Sequence, residues 1–415
     1  MRATTIRALD YWLGIPGCAL LTRLRRLKDV AASARQAPRP RRILFLKFIE
    51  QGATVLAQDA IARATRAVGR ENIFFCVFES NRAILDVLDS VPAANIISLR
   101  DRSLTTFTAD FLGALATARR RDIDTVIDME FFSRASAIFA FLSGASTRVG
   151  LHRFTGELPY RGDLMTHRIQ YLPHLHISQQ YSILVEASLH DPHDEPLLKV
   201  PLTDIRANAP ASEPSFIAAH GALQEMRQRI GANGASPIVV LNPNASDLLP
   251  LRKWQTSKFA ELARRVLDTY PQSKIVLTGG PSERAAAEQL CVEIASPRVV
   301  SMAGHTSLTE LLTLYSVADV LVTNDSGPGH FSSLTPVHAV VLFGPETPRL
   351  FGPLSASSTV IWKELACSPC VSVFNHRLSP CRNNVCMQAI TVDEVFDAVR
   401  AALVQRREAI GSDRP

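Results

Sequence analysis

Apolar residues fall along this chain in short blocks separated by longer amphipathic stretches, and the pattern runs twice. Residues 43–46, 73–77, 95–98 and 125–128 are β-rich apolar runs. Their length and composition are those of strands buried on both faces of a parallel sheet. Helical patterns lie between them at 53–67 and 104–119, and another follows Ser133. Strands alternating with helices at this spacing indicate βαβ units. The rhythm breaks over 151–175, a helix is expected at 178–189, and 190–213 carries Pro192, Pro196, Pro201 and Pro210. That proline-rich stretch reads as an interdomain linker. The pattern then restarts, with strands at 237–241, 274–278, 298–300, 319–323 and 337–343 and helices at 257–267, 283–294, 307–315 and 391–404. The fold class is therefore α/β, two doubly wound Rossmann-like domains in tandem, which suits a chain of 415 residues.

Composition changes this picture in one place. With 47% hydrophobic and 20% charged residues the chain is an ordinary globular protein, and disorder is expected only at its ends. A net charge of +6 and a pI of about 9.0 favour anionic partners, and fit a mildly basic solvated surface equally well. The excess is uneven. Residues 1–42 hold ten Arg and Lys against two acids, Asp10 and Asp29, around an apolar stretch at 11–21. That stretch is too short to span a bilayer. Arg23, Arg25, Arg26 and Lys28 separate it from Ala32-Ser33-Ala34, which argues against a cleaved signal peptide. An interfacial helix with aromatic anchors and a polybasic flank suits residues 1–40; so does a helix packed on the protein's own surface. The expected location is the inner face of a cytoplasmic membrane, with an anionic membrane surface as partner and no nucleic acid.

In doubly wound sheets ligands bind beyond the carboxyl ends of the strands. Four turns qualify. Asn324-Asp325-Ser326-Gly327-Pro328-Gly329-His330 ends a buried strand, and its glycines, hydroxyl and N–H groups suit a phosphate. Thr278-Gly279-Gly280-Pro281-Ser282-Glu283 opens a helix, and Glu283 suits either a ribose or the helix's own first turn. Asn242-Pro243-Asn244-Ala245-Ser246 is followed by Arg252-Lys253-Trp254, two cations that suit a diphosphate or plain surface charge. Lys47-Phe48-Ile49-Glu50-Gln51-Gly52-Ala53 closes the first strand, and Glu50 is its one carboxylate, a general-base candidate. Asp128 and Glu130, at the end of a later strand, are the alternatives.

These turns, taken in order, resemble glycosyltransferase family 9, the heptosyltransferases of lipopolysaccharide core synthesis. The likeness runs from about Arg42 to Val399. It is strongest from Ala303-Gly304-His305-Thr306-Ser307-Leu308 through Asp325-Ser326-Gly327-Pro328-Gly329-His330 to Phe343-Gly344-Pro345, with Arg252-Lys253-Trp254 as the basic-x-Trp element. The resemblance implies a GT-B fold with a cleft between an acceptor-binding domain, 41–205, and a nucleotide-sugar-binding domain, 206–390. A C-terminal helix and tail, 391–415, would cross back to the first domain. It also implies inverting transfer from a nucleotide-diphospho-sugar to a glycolipid or glycan acceptor, with no cofactor required for catalysis. By position, Ser246, Arg252, Lys253, Gly279, Glu283, Asp325, Ser326, Gly327 and His330 fall on the donor side. One departure stands out. The family carries Gly-Asp after the first strand, with that Asp as base, and this chain has Gly52-Ala53. Glu50, three residues before Ala53, is the replacement candidate. A nucleotide-sugar epimerase, or a catalytically degenerate binding scaffold, is the alternative class.

Cys367, Cys370, Cys381 and Cys386 form a C-x2-C and C-x4-C arrangement. Four thiolates at that spacing fit a structural zinc, and fit free thiols or disulfides as well.

Overall fold

The computed structural model describes residues 3–31, 39–154, 159–193, 197–206, 214–234, 236–245, 249–375 and 377–412. The chain divides into two compact units, Met1–Ala209 with Val373–Arg377, and Pro210–Ser372 with Leu378–Pro415.

In the first unit six parallel strands, β1 (Ile43–Leu46), β2 (Ile73–Phe78), β3 (Ile96–Leu99), β4 (Thr125–Asp128), β5 (Thr147–Leu151) and β6 (His167–Ile169), lie in the order β3-β2-β1-β4-β5-β6. Every residue of β1, β2 and β4 is buried, because helices cover both faces. The register sets Leu46 beside both Cys76 and Asp128, so the loops leaving β1 and β4 start side by side.

The second unit repeats the plan. β7 (Ile238–Asn242), β8 (Lys274–Leu277), β9 (Val299–Ser301), β10 (Val320–Asn324), β11 (His338–Phe343) and β12 (Ser358–Trp362) are parallel, in the order β12-β11-β10-β7-β8-β9. Its main core packs Trp254, Phe259, Leu262 and Val266 against the sheet residues Val239, Leu241 and Ile275. Trp254 is buried with its indole N–H donating to the Ile390 carbonyl at 3.0 Å, which satisfies its polar end.

Three strands lie outside the expected pattern. β5 ends where the stretch read as a break begins, and β6 forms inside that stretch. β5 (Thr-Arg-Val-Gly-Leu) is interrupted by an arginine and a glycine, and β6 is three residues long. At Gly150 a Cβ would lie 3.0 Å from the Met165 methyl carbon, so the small residue there serves close packing. β12 is an edge strand that is only half-buried, so its sequence lacks a continuous apolar run.

The basic N-terminal segment folds as α1 (Ala3–Trp12) and α2 (Gly14–Ala31), and both pack on the helix Arg134–Leu142. Gly14 permits the contact, since a Cβ there would fall 2.6 Å from the Arg134 Cβ. The Thr22 hydroxyl accepts the Asp163 N–H at 2.9 Å, and Arg25 pairs with the Asp163 carboxylate. Among the described residues no helix is long and apolar enough to cross a membrane. The last helix, Val392–Ser412, packs on Thr256–Thr269, and its Val395, Phe396, Val399, Ala402 and Leu403 join the core of the second unit.

Candidate functional site

Each sheet has one point at which the connections on its two sides run in opposite directions. It lies between β1 and β4 in the first unit and between β7 and β10 in the second. In such sheets the crevice for a ligand opens there, beyond the carboxyl ends.

At the first of these points three carboxylates and a lysine converge. Lys47 is fully buried, its Nζ 3.3 Å from Glu50 Oε2 and 3.2 Å from Glu130 Oε2. Burial works against its charge, but Glu130 and Glu50 outweigh that and hold its pKa above the ordinary lysine value. The other oxygen of Glu130 accepts the Phe48 N–H at 2.6 Å and the Ile49 N–H at 3.3 Å. Burial pushes the pKa of Glu130 up; Lys47 opposes that, while Glu50 and Asp128 add to it, and the net shift is upward.

Asp128 is closed off. It is wholly buried, paired with Arg161, and accepts the Ser136 hydroxyl at 2.7 Å and the Glu130 N–H at 3.0 Å. Glu50 differs. It sits at φ 71°, a left-handed conformation costing a non-glycine residue roughly 1–2 kcal/mol. It precedes the short helix Gln51–Leu56, which carries Ala53. Its side chain is 26% exposed, against 6% for Glu130 and 0% for Asp128, so it is the carboxylate of the three that reaches solvent. Lys47 and Arg377 both pair with it. The Tyr181 hydroxyl, buried within the field of the same charges, has no hydrogen-bond partner among the described residues.

At the second point Asn324 does the joining. Its amide donates to the Pro243 and Asn244 carbonyls, each at 3.1 Å, and its oxygen accepts the Trp254 N–H at 3.0 Å. One buried side chain thereby ties the loops after β7 and β10 to the basic-x-Trp element. Asn242 and Asn244 reach across to Thr278 at the end of β8. Arg252 is buried between two carboxylates, its Nε 3.2 Å from Asp325 Oδ2 and its far nitrogen on Glu346. Lys253 is exposed.

Ser326 is half-buried and donates to the Asn324 carbonyl at 3.0 Å, while Gly327 and His330 lie on the single turn that follows, Gly327–Phe331. At Gly279 a Cβ would stand 2.7 Å from the Asn244 amide nitrogen, so glycine there leaves room for the Asn244 side chain to reach Thr278. One oxygen of Glu283 accepts the Gly280 N–H at 2.7 Å, capping the helix it begins. Ser246 lies outside the described residues.

Arg377 and Glu346 are the members that reading along the chain passed over, while Lys47 and Asn324 stood in the quoted turns without a role of their own. Lys47 alone had a local signal, a lysine closing an apolar strand three residues before Glu50. Burial raises the pKa of the Cys386 thiol, and Cys370, Cys381 and Cys367 lie near enough to add to that rise. None of the seven cysteines is in a disulfide, and among the described residues no group of three or more His, Cys, Asp or Glu side chains is placed to hold a metal ion.

Two parallel six-stranded α/β units, each with polar residues at its switch point, define a GT-B protein. Comparison with known proteins agrees. The E. coli ADP-heptose lps heptosyltransferase II structure superposes with a TM-score of 0.66 at 19% identity, covering 88% of this chain and 99% of that one. E. coli heptosyltransferase WaaC with ADP gives 0.60 at 18%, covering 87% and 99%. In sequence, the lipooligosaccharide heptosyltransferase 2 of Campylobacter jejuni is 25% identical over 271 residues, 63% of this chain and 74% of that relative. The family model for glycosyltransferase family 9 (heptosyltransferase) matches residues 114–377, and the chain belongs to that family. It is a glycosyltransferase.

Proposed function

We propose that the chain is an inverting transferase that moves a sugar, heptose in the first instance, from a nucleoside-diphospho-sugar to a glycolipid acceptor of the cell envelope, working at the inner face of the cytoplasmic membrane. The relatives named above, a lipooligosaccharide heptosyltransferase and an ADP-heptose enzyme, support the donor and acceptor classes.

The observation that carries the mechanism is Glu50. It is the carboxylate at the β1–β4 switch point with access to solvent, one turn from the alanine that stands where the family's Asp would be. In this reading Glu50 takes the proton of the acceptor hydroxyl as that oxygen attacks the anomeric carbon. The bond from that carbon to the diphosphate breaks, and the nucleoside diphosphate leaves. Lys47 and Arg377 pair with the Glu50 carboxylate and hold it in place. On the donor side Arg252, with N–H groups and hydroxyls of the Asp325-Ser326-Gly327 loop, meets the charge developing on the diphosphate.

The test is transfer from a panel of nucleoside-diphospho-heptoses and hexoses to truncated envelope glycolipid, read by mass spectrometry, with thermal shift reporting donor binding. Glu50→Gln is expected to lower turnover by ~10²–10⁴-fold and to leave the donor's thermal shift intact. Sugar isomerisation with donor alone would move the chain to the epimerase class. Donor binding without turnover on any acceptor would make it a scaffold.

A further inference from the structure

The helix α2 has two apolar faces, and the protein uses only one of them. Gly14, Cys18, Thr22 and Arg25 recur every three or four residues and face inward on the helix Arg134–Leu142 and the loop at Asp163. Cys18 is fully buried, and burial pushes its thiol up to about 11. Leu13, 63% exposed, lies in the turn before the helix, and on the helix's opposite side stand Leu20, Leu24 and Leu27, which are 59%, 44% and 69% exposed. At 3.6 residues per turn they fall within about 60° of one another, a single straight stripe. Tyr11 and Trp12, 48% and 74% exposed, stand at its N-terminal end.

The charge around this stripe has one sign. Arg23 and Arg26 are exposed along one flank, and no Asp or Glu occurs between Leu13 and Leu27. A protein partner's surface usually mixes both charges, whereas an anionic bilayer answers apolar side chains, interfacial aromatics and cations together. The same segment carries ten cations against two acids through residue 42, so an anionic surface would be favoured along its length. No described helix can span the membrane, so contact of this kind lies in the plane of the interface.

We infer that the outer face of α2, with Trp12 and Tyr11, is a docking surface for an anionic lipid bilayer. This deepens the reading of a membrane-borne acceptor, and rests on it only for why the enzyme would need such a surface. The surface itself stands on the exposure and charge of these residues.

The experiment is flotation of the full chain with phosphatidylcholine vesicles and with vesicles containing about a third phosphatidylglycerol, beside light scattering of the protein alone. Wild type is expected to float with the anionic vesicles, to remain behind with the neutral ones, and to be released by high salt. The triple variant Leu20→Ser, Leu24→Ser and Leu27→Ser should lose at least ten-fold in vesicle affinity, and Arg23→Glu with Arg26→Glu should lose a similar factor. Leu112→Ser, at an exposed leucine on the helix Leu104–Arg120, should float as wild type does. All the altered side chains are at the surface, so melting midpoints should hold and a lost interaction is not a lost fold. Failure of the wild type to bind anionic vesicles overturns the inference. So does equal binding by the triple variant, or a stable dimer that only the triple variant dissolves, which would assign the face to a second copy. Transfer to detergent-dispersed acceptor should be unchanged in the triple variant. Flotation without any transfer would fail the catalytic reading and leave this one standing.

Discussion

The carboxylate of Asp10, on the first helix of the chain, accepts the backbone N–H of Arg134 at 2.9 Å and holds its guanidinium at 2.9 Å. It also accepts the Ala135 N–H at 3.1 Å. A residue more than a hundred positions away thus satisfies the free N–H groups that open the helix Arg134–Leu142, beside the helix's own cap Ser133. Asp10→Ala is expected to cost about 1–2 kcal/mol, a cap together with a partly buried ion pair. Urea unfolding would measure it, and limited trypsin digestion should cut faster among the arginines of residues 1–42.

Lys47→Met leaves Glu130 buried without its cation. An unpaired buried charge costs about 3–5 kcal/mol, and that is the loss expected in chemical denaturation. Lys47→Met with Glu130→Gln removes both charges and should recover part of it. If the single variant is as stable as wild type, the Lys47 pairing is not structural.

Arg252 is held by Asp325 and Glu346, so its guanidinium is already oriented. Arg252→Lys keeps the charge and loses the fork that reaches two carboxylates, and is expected to weaken the binding of nucleoside diphosphate by about ten-fold or more. Glu346→Gln should weaken it less, because the Asp325 contact survives. Calorimetric titration with the nucleotide that gives the largest thermal shift separates the two.

The Ser307 N–H, with Arg229 and the Ser307 hydroxyl, brings the pKa of Glu310 down to about 2. A depressed carboxylate contributes stability above its unfolded value, near 4.3, and loses it as pH falls toward 2. Acid unfolding of wild type should therefore show a loss in that window that Glu310→Gln lacks. Ser307→Ala breaks the reciprocal cap at Ser307 and Glu310 and should cost about 1 kcal/mol at neutral pH.

The central strands were readable because burial on both faces demands an uninterrupted apolar run, as in Ile43–Leu46 and Ile73–Phe78. β12 escaped because it lies at the edge of its sheet and β6 because it is three residues long. The loops of the candidate site were readable for a related reason, since they follow those strands directly. Their partners were not. Arg377 meets Glu50 across 327 positions and Glu346 meets Arg252 across 94, and no local period encodes such pairings. Asp128 is a further case, since a carboxylate closing a strand looks the same along the chain whether it faces solvent or, as here, Arg161.

The helix Val392–Ser412 supplies six buried side chains, from Val392 to Leu403, to the core that Trp254 and Phe259 begin. During synthesis the second unit therefore cannot finish its interior until residues as far as Leu403 have cleared the ribosome. The six strands of the first unit have emerged more than two hundred residues earlier. The two halves of this enzyme thus mature on different schedules, and a chain arrested or trimmed before Val395 should be met by chaperones and proteases as an open sheet rather than as a shortened enzyme.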